Sequence, residues 1–254
     1  MIDAHIHVFP DYTAEQHIAI ARAAGVTQTV LIQPSGSKFD NTAMLDAVRK
    51  YPGVFSAVAI VDTDDSALEE TIVNLRRQGN RGFRITARRE QPWMEWPGML
   101  RLWSLAAKHN MVICPLINPD ILPWVAAMCE KHPQTVVAID HLARIGATGT
   151  IADADVRALN GLAKFPQVHV KVSAFYALGK KQPPYLDLSL LIRQVFETYG
   201  PRRLLWGSDA PYQTRAPHSY QASVDLIRTG LRFLNDEDRR WMLRGTCQRL
   251  FFGA

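Results

Sequence analysis

Eight short apolar, β-branched runs recur along the chain, each followed by a longer segment of helical period. The runs are Ile2–Val8, Thr27–Gln33, Val54–Val61, Gly82–Thr86, Met111–Ile117, Thr135–Ile139, Val168–Ser173 and Arg203–Gly207. Several are apolar throughout rather than alternating, the pattern of strands covered on both faces. Helices are predicted at Ala14–Ala24, Asn41–Lys50, Ser66–Arg77, Leu100–His109, Leu122–Lys131, Ala154–Lys164, Leu186–Tyr199 and Ser219–Leu231, with a last one at Asp236–Phe251. Eight such alternations in 254 residues predict an α/β fold, a single (β/α)8 barrel over residues 1–254 with an extra C-terminal helix. The rival is a doubly wound open sheet. The first strand is not followed by G-x-G-x-x-G, and no Walker-type phosphate loop occurs.

Composition narrows the class. At 47% hydrophobic and 21% charged residues, the chain is neither disordered, collagenous nor a coiled coil. Lysine and arginine exceed acids by 29 − 24 = 5. The positive charge is scattered apart from Arg239, Arg240, Arg244 and Arg249, which read as a solvated helix face, so no nucleic-acid partner is expected. No apolar run spans a membrane, and the start, MIDAHIHVFP, lacks signal-peptide features. A cytoplasmic protein without a membrane partner is expected, and a homo-oligomer is compatible with the sequence. Cys114, Cys129 and Cys247 have no metal-site spacing and read as free thiols.

Four places carry chemistry. Side chains alternate along a strand, so Asp3-x-His5-x-His7 is expected to aim all three groups to one side, where two imidazoles can converge on one ion or one substrate atom. Asp209, in Leu204-Leu205-Trp206-Gly207-Ser208-Asp209, follows the last strand. Alone it reads equally as a turn cap; beside His5 and His7 it becomes a general base or an oxygen ligand. His141 follows the sixth strand and faces the same end of a barrel. Arg84, on the fourth strand, has no acidic neighbour in sequence. Its planar fork suits a carboxylate, and Arg88 and Arg89 follow it. A small anionic substrate is therefore expected. Weaker polar candidates at strand ends are Gln33, Ser35, Asn118, Ser173 and Tyr176, whereas Trp93, Trp96 and Trp103 read as packing.

The motifs D-A-H-I-H, R-G-F-R, I-D-H-L, V-K-V-S and W-G-S-D-A-P, with the ending L-R-G-T-C-Q-R-L-F-F, resemble the amidohydrolase-2 branch of the amidohydrolase superfamily. The resemblance runs from Asp3 to Phe252 and is nearest to the 2-pyrone-4,6-dicarboxylate lactonase-like and sugar-lactonase-like proteins. It implies a (β/α)8 barrel and the hydrolysis or decarboxylation of small carboxylated molecules. The metal-dependent relatives carry a histidine at the end of the fifth strand. Here that strand reads M-V-I-C-P-L-I-N, and no lysine ends the fourth strand to bridge two ions. A binuclear centre is not expected. A single divalent ion, zinc by ligand type, would rest on His5, His7 and Asp209, weakly held or absent. The expected reaction opens a lactone: Asp209 is the general base, His5, His7 and His141 surround the carbonyl oxygen, and Arg84, Arg88, Gln33, Ser35 and Tyr176 bind substrate. The alternative, a mononuclear metal-dependent decarboxylase, is disfavoured by the missing histidine.

Overall fold

In the computed structural model, which describes residues 1–87 and 92–253, all eight predicted strands form. They are β1 (Ile2–Ile6), β2 (Gln28–Ile32), β3 (Phe55–Ala59), β4 (Asn80–Thr86), β5 (Val112–Leu116), β6 (Val137–Ile139), β7 (Val168–Ser173) and β8 (Leu204–Gly207). Each pairs in parallel with the next in sequence order. The ring closes just beyond β8, where Asp209 N donates to His5 O and His7 N donates to Ala210 O, both at 2.8 Å. Gly207 permits this closure, since a Cβ there would lie 2.9 Å from His5 Cβ. The result is the predicted (β/α)8 barrel.

The helices are α1 (Ala14–Ala23), α2 (Thr42–Lys50), α3 (Leu68–Arg77), α4 (Pro97–Lys108), α5 (Leu122–Lys131), α6 (Asp153–Gly161), α7 (Ser189–Tyr199), α8 (Tyr220–Asp225) and α9 (Asp236–Arg240). The predicted closing helix starts as α9 and continues as wider turns over Trp241–Gly245 and Gln248–Phe252. Among the described residues no helix is long and apolar enough to cross a membrane.

Alternation along the strands sorts the core into two layers. Ile2, Ala4, Val30, Ile32, Val58, Val112, Cys114, Ala138 and Leu205 fill the barrel, and Cys247 and Phe251 from the C-terminal segment pack with them. Ile6, Leu31, Ala57, Phe83, Ile113, Val170 and Trp206 instead join the layer under the helices. Trp93 and Trp103 are also buried in that outer layer, as packing residues.

One expectation fails here. Ile2 and Ala4 are in the barrel, yet Ile6 is outside it, so β1 changes phase between them. The cause is a bulge: β1 advances from Asp3 to Ile6 while β2 advances only from Thr29 to Leu31. Asp3 therefore does not share a side with His5 and His7. It faces the outer layer, where Oδ1 accepts from Ser208 N at 2.8 Å and Oδ2 accepts from Ser208 Oγ at 2.5 Å and Tyr220 Oη at 2.9 Å. Asp3→Ala should leave these buried donors without an acceptor and destabilise the fold by about 3 kcal/mol or more, at about 1–3 kcal/mol per orphaned group. Urea denaturation measures this directly.

His17 on α1 is fully buried between Tyr12 Oη at 3.1 Å and Thr29 Oγ1 at 3.0 Å. Burial lowers its pKa from 6.5 to about 3. Between those values the unfolded chain binds the extra proton, so folding stability falls as pH is lowered through this window. From pH 7 to pH 5 this one group should cost about 2 kcal/mol. In His17→Gln, the pH slope of stability should drop by about one proton, as read by denaturation at both pH values.

Candidate active site

The bulge that turns Asp3 outward turns His5 and His7 inward, at the C-terminal end of the barrel. Asp209 follows β8 with a left-handed backbone (φ 65°) and meets both. Asp209 Oδ1 lies 3.3 Å from His7 Nε2 and 3.6 Å from His5 Nε2. Its Oδ2 lies 3.7 Å from His141 Nε2 and accepts a 2.7 Å hydrogen bond from Tyr176 Oη. Four expected residues from β1 and the ends of β6 and β8 thus meet, and all four are buried.

His141 reaches the site by an unusual backbone. His141, Leu142, Ala143 and Arg144 all have positive φ, between 53° and 59°. Each such non-glycine residue costs about 1–2 kcal/mol. Leu142 and Ala143 are completely buried, so packing holds the turn in place. His141 Nδ1 is 2.8 Å from Ser173 Oγ on β7.

Beneath these groups lies a buried ionic cluster the sequence reading did not assemble. Lys171 Nζ on β7 is 2.9 Å from Asp140 Oδ1, both completely buried. Arg84 Nε is 3.6 Å from Asp140 Oδ2, and Arg84 Nη1 donates to Gln33 O at 3.3 Å. Arg84 thus has an acidic partner that its neighbours in sequence do not supply, from the turn after β6. A lone lysine within Val168-His169-Val170-Lys171-Val172-Ser173 was the available signal.

The electrostatics separate imidazoles from carboxylates. Burial lowers the His5 pKa well below its ordinary value, against the raising pull of Asp140. Burial likewise lowers His141, opposed by Asp209 and Asp140. For Asp209, burial raises the pKa, but His141, His7 and His5 outweigh it and hold the group ionised below the ordinary carboxylate range. In Asp140, burial is outweighed first by Lys171 and then by His5. At neutral pH the site is an ionised carboxylate among imidazoles, with His5 and His141 kept neutral.

These groups open onto a cavity of about 590 Å³ lined by His7, Ser35, Arg84, His141, Tyr176 and Asp209, with Arg144 and Tyr212 also in its wall. Ser35, Arg84 and Tyr176 are therefore in the wall of this cavity. Gln33 is not in that wall: its side chain donates to Asp40 O at 2.5 Å, and its backbone carbonyl receives Arg84. Arg88 and Arg89 lie outside the described residues. Cys114 is buried inside the barrel, its thiol pushed up to about 12 by burial, and it acts as a packing residue.

The donor set also suits an ion. One nitrogen each from His5 and His7 and one Asp209 oxygen lie within 4.8 Å of one another. His5 Nε2 and Asp209 Oδ1 are buried without a hydrogen-bond partner, as groups facing a cation or a polar ligand would be. A second triplet, His5, Asp140 and His141, has its carboxylate already matched by Lys171.

The amidohydrolase family profile matches residues 2–253. The chain belongs to the amidohydrolase family. This amidohydrolase is 26% identical over 214 residues to the L-fucono-1,5-lactonase of Burkholderia ambifaria, covering 83% of the chain and 74% of that protein. It is 24% identical over 275 residues to the 4-sulfomuconolactone hydrolase of Hydrogenophaga intermedia, covering 98% of the chain and 88% of that protein. Among solved structures it resembles a probable 2-pyrone-4,6-dicarboxylic acid hydrolase of Acinetobacter baumannii, determined with citric acid bound. The TM-score is 0.86 at 25% identity, covering 99% of this chain and 98% of that one.

Proposed function

We propose that this amidohydrolase opens the lactone ring of a small carboxylated substrate by general-base hydrolysis. The observation that carries this reading is a buried carboxylate, Asp209, surrounded by three buried imidazoles at the floor of a cavity that also contains Arg84. Two relatives bear the names of lactone-cleaving enzymes, and a third binds a carboxylated molecule, which supports the same substrate class.

Asp209 Oδ1 has no hydrogen-bond partner and is free to take a proton from water. The water oxygen attacks the lactone carbonyl carbon, and its proton passes to Asp209. The negative charge that develops on the carbonyl oxygen is held by the surrounding imidazoles of His5, His7 and His141. When the tetrahedral intermediate collapses, the ring C–O bond breaks and Asp209 returns the proton to the departing ring oxygen. Both transfers occur at one side of the substrate, so one carboxylate suffices. Tyr176 steadies Asp209 Oδ2 and leaves Oδ1 for the chemistry. Arg84 and Ser35 bind the substrate carboxylate, the arginine through guanidinium N–H groups its contacts with Asp140 and Gln33 leave free.

His5, His7 and Asp209 would hold one divalent ion, zinc by donor type, which when bound would polarise the carbonyl. Three protein ligands and the absence of a histidine at the end of β5 make such an ion weakly held.

Asp209→Asn should reduce kcat by about a hundredfold to ten-thousandfold, because an amide cannot accept the water proton. Steady-state assays on carboxylated lactones measure this, and full activity in the variant would end the mechanism. Arg84→Met should lower kcat/KM for a carboxylated lactone by roughly ten- to a hundredfold, about 1.5–3 kcal/mol for a charged hydrogen bond. The methyl ester of the same lactone should lose less, only the part that comes from Arg84's contact with Asp140. An equal loss for acid and ester would mean that Arg84 serves only the buried ionic cluster.

A further inference from the structure

His5 meets two opposite charges at its inner nitrogen. Lys171 Nζ lies 3.4 Å from His5 Nδ1 in hydrogen-bonding geometry, and Asp140 Oδ1 lies 3.5 Å from the same atom. An ammonium only donates and a carboxylate only accepts, so each neighbour selects a different neutral tautomer. A bond from Lys171 requires a bare Nδ1 and places the ring proton on Nε2. A bond to Asp140 requires the proton on Nδ1 and leaves Nε2 bare. Both forms carry the same charge; only the position of one proton differs.

The alignment favours Lys171. Neither Asp140 oxygen has a hydrogen-bond partner of acceptable geometry, whereas the Lys171–His5 contact has it. His5 Nε2 then carries hydrogen toward Asp209 Oδ1 at 3.6 Å, and both atoms are buried without a partner. His7 is wired in the opposite sense. Its Nδ1 is 2.7 Å from Ile32 O, a pure acceptor, so that nitrogen holds a proton.

We propose that Lys171 is a positioning residue that fixes His5 in the Nε2–H tautomer. His5 is then a hydrogen-bond donor to the oxygen of the bound substrate, a clause that rests on the hydrolytic reading above. The same tautomer opposes metal capture, because a ligating nitrogen needs a lone pair. An ion can use His5 only if the proton moves to Nδ1 and the Lys171 contact breaks. The two histidines of one motif are thus set for different roles by what stands behind each ring.

The test reads the tautomer itself. Protein labelled with 15N-histidine and treated with EDTA is examined, without substrate, by long-range 1H–15N correlation, the His5 signal being assigned with His5→Asn. The wild type should show Nε2–H. In Lys171→Met the proton should move to Nδ1, with Asp140 accepting it. Zn2+ binding to the stripped protein, measured by isothermal titration, should tighten at least tenfold. Lys171→Met leaves Asp140 with less counter-charge, so Lys171→Met/Asp140→Asn serves as a second variant with no net change of buried charge; its amide oxygen still accepts from Nδ1–H, and the same flip is expected. A wild-type His5 in the Nδ1–H form overturns the proposal, as does Nε2–H persisting in both variants. Unchanged Zn2+ affinity overturns the claim about metal capture. Because the spectrum needs no substrate, an enzyme inactive on lactones but carrying Nε2–H at His5 would refute the proposed reaction and support the role of Lys171.

Discussion

The seam between β8 and β1 is the constraint on which the rest depends. Two backbone hydrogen bonds and the Asp3 carboxylate hold the last strand against the first. Gly207 lets them approach closely. This closure turns an eight-stranded sheet into a barrel and brings Asp209 to His5 and His7 across almost the whole length of the chain. The bulge in β1 belongs to the same device. It spends Asp3 on the seam and releases the two histidines into the interior.

Buried charge is the second organising feature. Lys171, Asp140 and Arg84 sit in the upper barrel with almost no exposure, an arrangement that apolar side chains would replace without loss of stability in many proteins. Here the cluster lies directly under His5 and carries charge to within reach of the imidazole that faces the cavity. Losing one member would leave its partners uncompensated in a dry interior, a far larger cost than losing a surface pair.

The chemistry follows from this layering. The barrel floor is apolar, the middle layer is ionic, and the top layer holds neutral His5 and His141 around an ionised Asp209. The same barrel with other loops would keep Asp209 and its imidazoles and change the cavity wall, since Ser35, Arg144, Tyr176 and Tyr212 all come from segments beyond the strand ends.

Hydrophobic period alone determined the barrel, because eight buried parallel strands with helices between them leave few ways to hide so much apolar surface. The local sequence also marked His5, His7, His141, Asp209, Arg84, Ser35 and Tyr176, since polar groups at the ends of apolar strands need a reason to be there. Tertiary structure decided what strict alternation could not. A one-residue bulge sent Asp3 outward, because pairing with β2 and β8, not the pattern within β1, sets the phase of the strand. Gln33 turned to its own loop, because the nearby Asp40 carbonyl satisfies its amide. The left-handed turn at His141–Arg144 carries no glycine to announce it and persists because Leu142 and Ala143 are packed on all sides. Lys171 found Asp140 and His5 only on the closed barrel: they belong to β7, the turn after β6 and β1, and a through-space charge contact has no period in one dimension.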